Sequence, residues 1–215
     1  MPRTRSIAIA GPAGRLEAVI MTPDDEPIAA GLICHAHPLH GGIMHYKVMF
    51  RAARALLAQG LPALRFNFRG VGASEGVHDN GRGEQEDVRA ALDELGRLYP
   101  GLPVVLGGYS FGSLMALRVG ADDPRVQAMF ALGFPIDRVS DTSFLTGSGK
   151  PRLFVQGEED EFGSGAKIEA LAEQLIPEPG SVKVILGGDH FFTGKLDPLE
   201  NAVSEWISEK PWERS

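Results

Sequence analysis

From about residue 28 onward the chain alternates short apolar runs with stretches of helical periodicity, and this alternation restricts the fold more than any other feature. Residues 28–35 form an apolar run that ends in polar residues. Val48, Ala52, Ala55 and Leu56 then recur at i, i+4, i+7 and i+8, one face of a helix, and Gly60 supplies a C-terminal stop. Residues 61–68 read as a strand in which Leu64, Phe66 and Phe68 alternate with Arg65 and Asn67. Val88, Ala91, Leu92, Leu95 and Leu98 mark a second helix, residues 102–106 a buried strand, and residues 110–120 a third helix. Strands follow at 126–132, 153–156 and 182–186. Helical stripes follow at Ile168, Leu171, Ala172 and Leu175, and at Leu199, Val203, Trp206 and Ile207. The first thirty residues read as two strands, 6–10 and 16–22, joined by the turn Gly11-Pro12-Ala13-Gly14. Strands alternating with helices predict the α/β class, a mostly parallel central sheet with helices on both faces. The runs at 103–106 and 182–186 suit strands buried on both sides. With no internal repeat or linker, the 215 residues are expected to form a single domain over 1–215.

Gly108-Tyr109-Ser110-Phe111-Gly112 matches G-x-S-x-G between a buried strand and a helix, the context in which that motif forms a nucleophile elbow. Glycines on either side let strand and helix approach where a Cβ would clash. The serine Oγ then projects above the sheet, and the helix N-terminus favours a developing oxyanion there. The alternative is an N-capping serine at an ordinary glycine-rich turn.

A serine hydroxyl needs a base to become nucleophilic. Of six histidines, His190 lies in Gly187-Gly188-Asp189-His190, directly after the last strand. Loops at strand C-terminal ends are where α/β sites assemble. A carboxylate should orient that imidazole. Asp160 follows the penultimate strand and is the favoured partner, with Glu158, Glu159 and Glu161 as alternatives in the same acidic run. The order Ser110, Asp160, His190 is the order expected for such a site.

These motifs, with His35-Ala-His37-Pro-Leu-His40-Gly-Gly42 and Arg65-Phe-Asn-Phe-Arg-Gly-Val-Gly-Ala-Ser-Glu-Gly76, resemble the α/β-hydrolase superfamily. Over about residues 28–210 they look like its small, lidless bacterial group related to dienelactone hydrolases. Dienelactone hydrolases carry a cysteine nucleophile; Ser110 at that position implies serine esterase chemistry. The resemblance implies hydrolysis of a small-molecule carboxylic ester or related acyl compound through an acyl-enzyme, without a cofactor. Peptidase or thioesterase activity, or a non-catalytic interaction role, are the alternatives on the same fold. It also implies one oxyanion donor at the Phe111 N–H. A second falls at the His37 N–H with Leu39 as fallback, Pro38 having no N–H. Residues 135–150 are too few for a cap domain. The cleft is therefore expected to be open, with Phe134, Phe144, Leu145 and Phe192 as candidates for an apolar wall.

Other classes are disfavoured. A net charge of −7 repels phosphate backbones, so no nucleic-acid partner is expected. His35, His37, His40 and His45 lack zincin spacing, so loop-shaping hydrogen bonds are expected rather than a metal. Gly70-Val71-Gly72-Ala73-Ser74-Glu75-Gly76 departs from G-x-G-x-x-G and reads as a flexible loop bordering the site. The lone Cys34 sits in an apolar run and reads as an inert core thiol. No window is apolar enough to span a membrane, and residues 1–11 are too short for a secretory core, so the cytoplasm is expected. Trp206 and Trp212 are candidates for a homodimer contact, with core packing the alternative for Trp206.

Overall fold

The computed structural model describes residues 3–175 and 180–213. β1 (Arg3–Gly11) and β2 (Gly14–Thr22) form an antiparallel hairpin. Its turn places Gly14 at φ +119°, a region closed to most side chains. β2 pairs antiparallel with β4 (Ala63–Phe66). Beyond it, β3 (Ala30–Cys34), β5 (Val104–Tyr109), β6 (Val126–Leu132), β7 (Arg152–Gly157) and β8 (Gly180–Ile185) run parallel. The order β1-β2-β4-β3-β5-β6-β7-β8 makes one mostly parallel sheet, as the alternating pattern predicts.

Parallel neighbours require crossovers. α1 (Lys47–Ala58), α2 (Arg82–Leu98), α3 (Phe111–Asp122) and α4 (Gly165–Gln174) supply four of them, and α5 (Leu196–Ser208) closes the chain. α2, α3 and α4 cover one face of the sheet, and α1 and α5 cover the other. Every residue of β3, β4, β5 and β7 is consequently buried. That covering explains why the polar half of the Leu64–Phe68 alternation is not at the surface. Arg65 and Asn67 are buried, and both meet the backbone of Met44: Arg65 Nη1 donates to Met44 O (3.0 Å), and Asn67 Oδ1 accepts the Met44 N–H (2.8 Å), while Arg65 Nε finds no partner among the described residues.

The β6-to-β7 crossover contains two short 3-10 turns, Ile136–Arg138 and Ser143–Leu145, and no cap domain. Trp206 and Trp212 are both buried with the α1/α5 core. Cys34 is fully buried, and burial pushes its thiol up, so it stays protonated and inert. Among the described residues no helix is long and apolar enough to cross a membrane.

Candidate active site

β5 delivers Ser110 to the C-terminal edge of the sheet, and the backbone turns there at φ 53°, ψ −122°. A non-glycine residue at positive φ costs of order 1–3 kcal/mol and persists only where its surroundings enforce it. They do: the Ser110 N–H donates to Leu132 O (2.9 Å). The Ser110 carbonyl accepts from both the Ser113 N–H (2.9 Å) and Ser113 Oγ (2.6 Å). A Cβ on Gly108 would collide with the backbone of Gly112, and one on Gly112 with the Cys34 carbonyl. The two glycines of the motif are thus required by close backbone approach.

β8 ends at Ile185, and the following loop carries His190 back over Ser110. His190 Nε2 lies 2.9 Å from Ser110 Oγ, and His190 Nδ1 lies 2.8 Å from Asp160 Oδ2. The three side chains, 30 and 80 residues apart from His190, are therefore brought into one hydrogen-bonded line. With Nδ1 donating to the carboxylate, Nε2 is left as the acceptor for the serine O–H. Asp160 and His190 are each 4% exposed, which protects the pair from competing water.

The acidic run resolves by geometry. Asp160 Oδ1 accepts the Phe162 N–H (2.8 Å), an Asx turn that only a short acidic side chain closes, and Oδ2 is left for the imidazole. Glu158 is committed to the Gly187 N–H and Glu161 to the His190 N–H, both backbone groups of the histidine loop. Gln156 joins the site without any motif that marks it. Fully buried at the end of β7, it donates through Nε2 to Asp160 Oδ2 (2.8 Å) and Gly163 O (2.7 Å). Its Oε1 accepts the Phe134 N–H (2.8 Å).

The loop after β3 is shaped by hydrogen bonds and ring contacts of its histidines. His35 Nδ1 donates to Ala36 O (2.7 Å), and its Nε2 accepts the Phe68 N–H (3.0 Å). Burial lowers its pKa to about 4 and keeps it neutral. His37 Nδ1 accepts the Leu39 N–H (3.2 Å), which commits that donor and removes Leu39 from the oxyanion role expected of it as fallback. The Leu39 side chain is exposed. By contrast, the N–H groups of His37 and Phe111 donate to no protein group among the described residues. The His37 ring stacks on His40 (4.5 Å) and approaches His78 (4.9 Å) and Phe111 (4.9 Å). Burial and the neighbouring imidazoles hold its pKa below the usual value. Among the described residues no three His, Cys, Asp or Glu side chains gather as metal ligands would.

The glycine-rich segment 70–76 is pinned rather than flexible. Glu17 Oε2 accepts the Ala73 N–H, Ser74 Oγ donates to Asn67 O, and the Ser74 hydroxyl accepts the Glu17 N–H. His78, just beyond, packs against His37 and Phe111.

A cavity of about 660 Å³ opens over Ser110. Its apolar wall is Tyr46, Phe111, Leu114, Phe162 and Phe191. The expected wall of Phe134, Phe144, Leu145 and Phe192 is not in it. Phe134 is buried against Phe154, and Leu145 lies in the same core. Phe144 packs on that core under the Arg118 guanidinium. Phe192, at φ 52°, turns inward to the α1/α5 side and leaves Phe191 facing the cleft.

The sequence profile of the alpha/beta hydrolase domain matches residues 29–202. An uncharacterised protein of Rickettsia prowazekii is 34% identical over 92% of this chain and 86% of its own. A structure of an alpha-beta serine hydrolase homologue from Coxiella burnetii superposes with TM-score 0.88 at 36% identity, covering 94% of this chain and 97% of that one. A Xanthomonas campestris structure, described as a serine hydrolase without lid, gives 0.87 at 30% identity, covering 96% of this chain and 94% of that one. The chain belongs to the α/β-hydrolase family, in its small lidless group of serine-hydrolase relatives.

Proposed function

We propose that the protein is a carboxylesterase-type serine hydrolase acting on a small acyl ester through an acyl-enzyme, with Ser110, His190 and Asp160 as its catalytic residues. The observation that carries this reading is the continuous hydrogen-bonded line from the Asp160 carboxylate through the His190 imidazole to the Ser110 hydroxyl.

In this mechanism Ser110 Oγ attacks the acyl carbon while its proton passes to His190 Nε2. Asp160 holds the imidazole in the Nδ1–H tautomer and stabilises the imidazolium that forms. The tetrahedral oxyanion is taken by the N–H groups of Phe111 and His37, whose freedom from other protein acceptors supports the assignment. Preorganised donors of this kind are each worth roughly 10²–10³ in rate. The imidazolium returns its proton to the leaving oxygen as the carbon–oxygen bond breaks. His190 then deprotonates a water that attacks the acyl-serine, releasing the acid and restoring the serine hydroxyl.

Labelling with a fluorophosphonate probe, wild type against Ser110→Ala, tests the nucleophile. Turnover of chromogenic esters beside peptide and thioester substrates tests the reaction class. Labelling that persists in Ser110→Ala removes Ser110 from the mechanism. A clear preference for peptides or thioesters replaces the esterase reading with another hydrolase on the same residues.

A further inference from the structure

The cleft wall contains one permanently charged side chain, Arg138, and no carboxylate among its described lining residues. In a chain of net charge −7 that is an unusual local balance. Arg138 ends the 3-10 turn Ile136–Arg138, and its guanidinium lies over the Phe162 ring, 5.6 Å from the centroid. The turn is tied to the loop that carries Phe162, because the Asp137 N–H donates to Phe162 O (3.0 Å). Among the described residues Arg138 makes no ion pair. The nearby acids are engaged elsewhere, Asp137 by Lys167 Nζ (2.6 Å) and Glu161 by the His190 N–H (3.3 Å). The exposed guanidinium thus lies beside a ring and makes no ion pair with a protein carboxylate among the described residues.

Phe162 has a second contact that places this charge in the reaction. Its ring centroid is 4.5 Å from that of His190. Arg138, Phe162 and His190 thus lie in contact in a row on one side of the cleft, the two rings tilted at 59° to each other. In a serine hydrolase the leaving atom must face the imidazole that protonates it, so the leaving group occupies the His190 side.

We propose that Arg138 makes this cleft select acyl substrates whose leaving group, rather than acyl group, carries an anion. This inference rests on the serine-hydrolase reading above and names its substrate class: acyl esters of a small anionic alcohol. A guanidinium pairs with carboxylate and phosphate alike, so either group on the alcohol satisfies the site.

The test compares 4-nitrophenyl butyrate with 3-carboxy-4-nitrophenyl butyrate, which differ by one carboxylate on the leaving group. A 4-nitrophenyl hemisuccinate moves the charge to the acyl side, and a phosphate-bearing phenol ester asks whether that anion is accepted equally. The expected result is a roughly three- to tenfold higher kcat/KM for the leaving-group anion after correction for phenol pKa, shrinking at high salt as an exposed pair should. Arg138→Gln is expected to abolish the preference, and Arg138→Glu to invert it. A preference that follows the acyl-side charge, or that survives in Arg138→Gln, overturns the proposal. Calorimetric binding of the carboxylated and neutral butyrates to Ser110→Ala, with and without Arg138→Gln, reads the same selectivity without turnover. Failure of the hydrolase reading, seen as no turnover and no probe labelling, is therefore distinguishable from failure of the anion reading, seen as equal binding of the two esters.

Discussion

The hydroxyl of Tyr109, the residue immediately before Ser110, donates to the backbone carbonyl of His190 at 3.0 Å. The Tyr109 ring also stacks on the His190 imidazole at 5.4 Å. One buried side chain on the nucleophile's strand thereby fixes both the backbone and the ring plane of the proposed base. Tyr109→Phe keeps the ring and removes the bond. The lost bond is worth about 1 kcal/mol of stability. Steady-state kinetics on a neutral ester should show kcat several-fold lower with KM nearly unchanged, because the misplacement affects proton transfer rather than binding. An unchanged kcat means that the stack alone holds the loop.

Gln156 holds the third member of the line as Tyr109 holds the second. Replacing it with Leu leaves the Phe134 N–H and the Gly163 carbonyl without their buried partner and frees Asp160 to rotate. Each unsatisfied buried group costs about 1–3 kcal/mol. A lower melting temperature is expected, together with a drop in kcat of roughly tenfold or more through loss of positioning. Gln156→Glu keeps the shape but puts a second carboxylate beside Asp160. Two such groups in contact resist sharing full charge, so the acid limb of the pH–rate profile should move while the fold persists. A purely structural role for Gln156 leaves that limb where it is in the wild type.

The strand–helix alternation and the glycine spacing around Ser110 were legible because backbone periodicity and backbone close approach write directly into residue type. His190 was legible from its place after the last strand. The carboxylate was narrowed to four neighbours but not beyond, since Asp160 and its glutamates differ only in which loop N–H groups they reach. Gln156 gave no signal, because a glutamine ending a buried strand is ordinary until its three partners are placed around it. The wall of the cleft was misread by one residue at two places, Phe192 for Phe191 and Phe134 for Pro135, while Phe162 reaches it from another loop. Side-chain direction at a loop residue depends on local φ and ψ, and the positive φ at Phe192 reverses it. Composition carries no trace of that.

Gly112→Ala offers a direct test of the elbow. The added Cβ would fall on the Cys34 and His35 carbonyl oxygens, backbone atoms of a fully buried strand and its edge that cannot swing aside. Overpacking of this kind typically costs 1–3 kcal/mol, and backbone contact puts it at the upper end. The variant should melt well below wild type. Any folded fraction should label slowly with a fluorophosphonate, because relief requires moving the Ser110 turn. Gly147→Ala is the matched control, with open space around the added methyl but a positive φ of +79°. It should cost only the roughly 1 kcal/mol of backbone strain and leave labelling intact. Equal behaviour of the two variants would show that crowding at Gly112 is not what maintains the elbow.

Acid sensitivity should arise partly from His35. Its Nδ1 already donates to Ala36 O and its Nε2 must remain a lone pair to accept the Phe68 N–H, so protonation would set two donors against each other in a buried site. The folded pKa is accordingly depressed to about 4, against 6.5 for the ordinary side chain. Below pH 6.5 the unfolded chain binds a proton that the folded chain refuses, so the stability contributed by neutral His35 is full above that pH. It declines as pH falls toward 4, and is flat again below. By linkage the loss from this residue is on the order of 1 kcal/mol at pH 5.5 and on the order of 3 kcal/mol by pH 4.5. Urea unfolding of wild type and His35→Gln across that window isolates the contribution, since the other titrating groups are common to both. The glutamine variant should start lower at pH 7 but fall less steeply with acid. Parallel curves from pH 7 to 4.5 would mean that the folded protein accepts a proton on His35 as readily as the unfolded chain does. The Phe68 N–H would then need another acceptor in the acid form, and the loop bearing His37 would be free to shift with it.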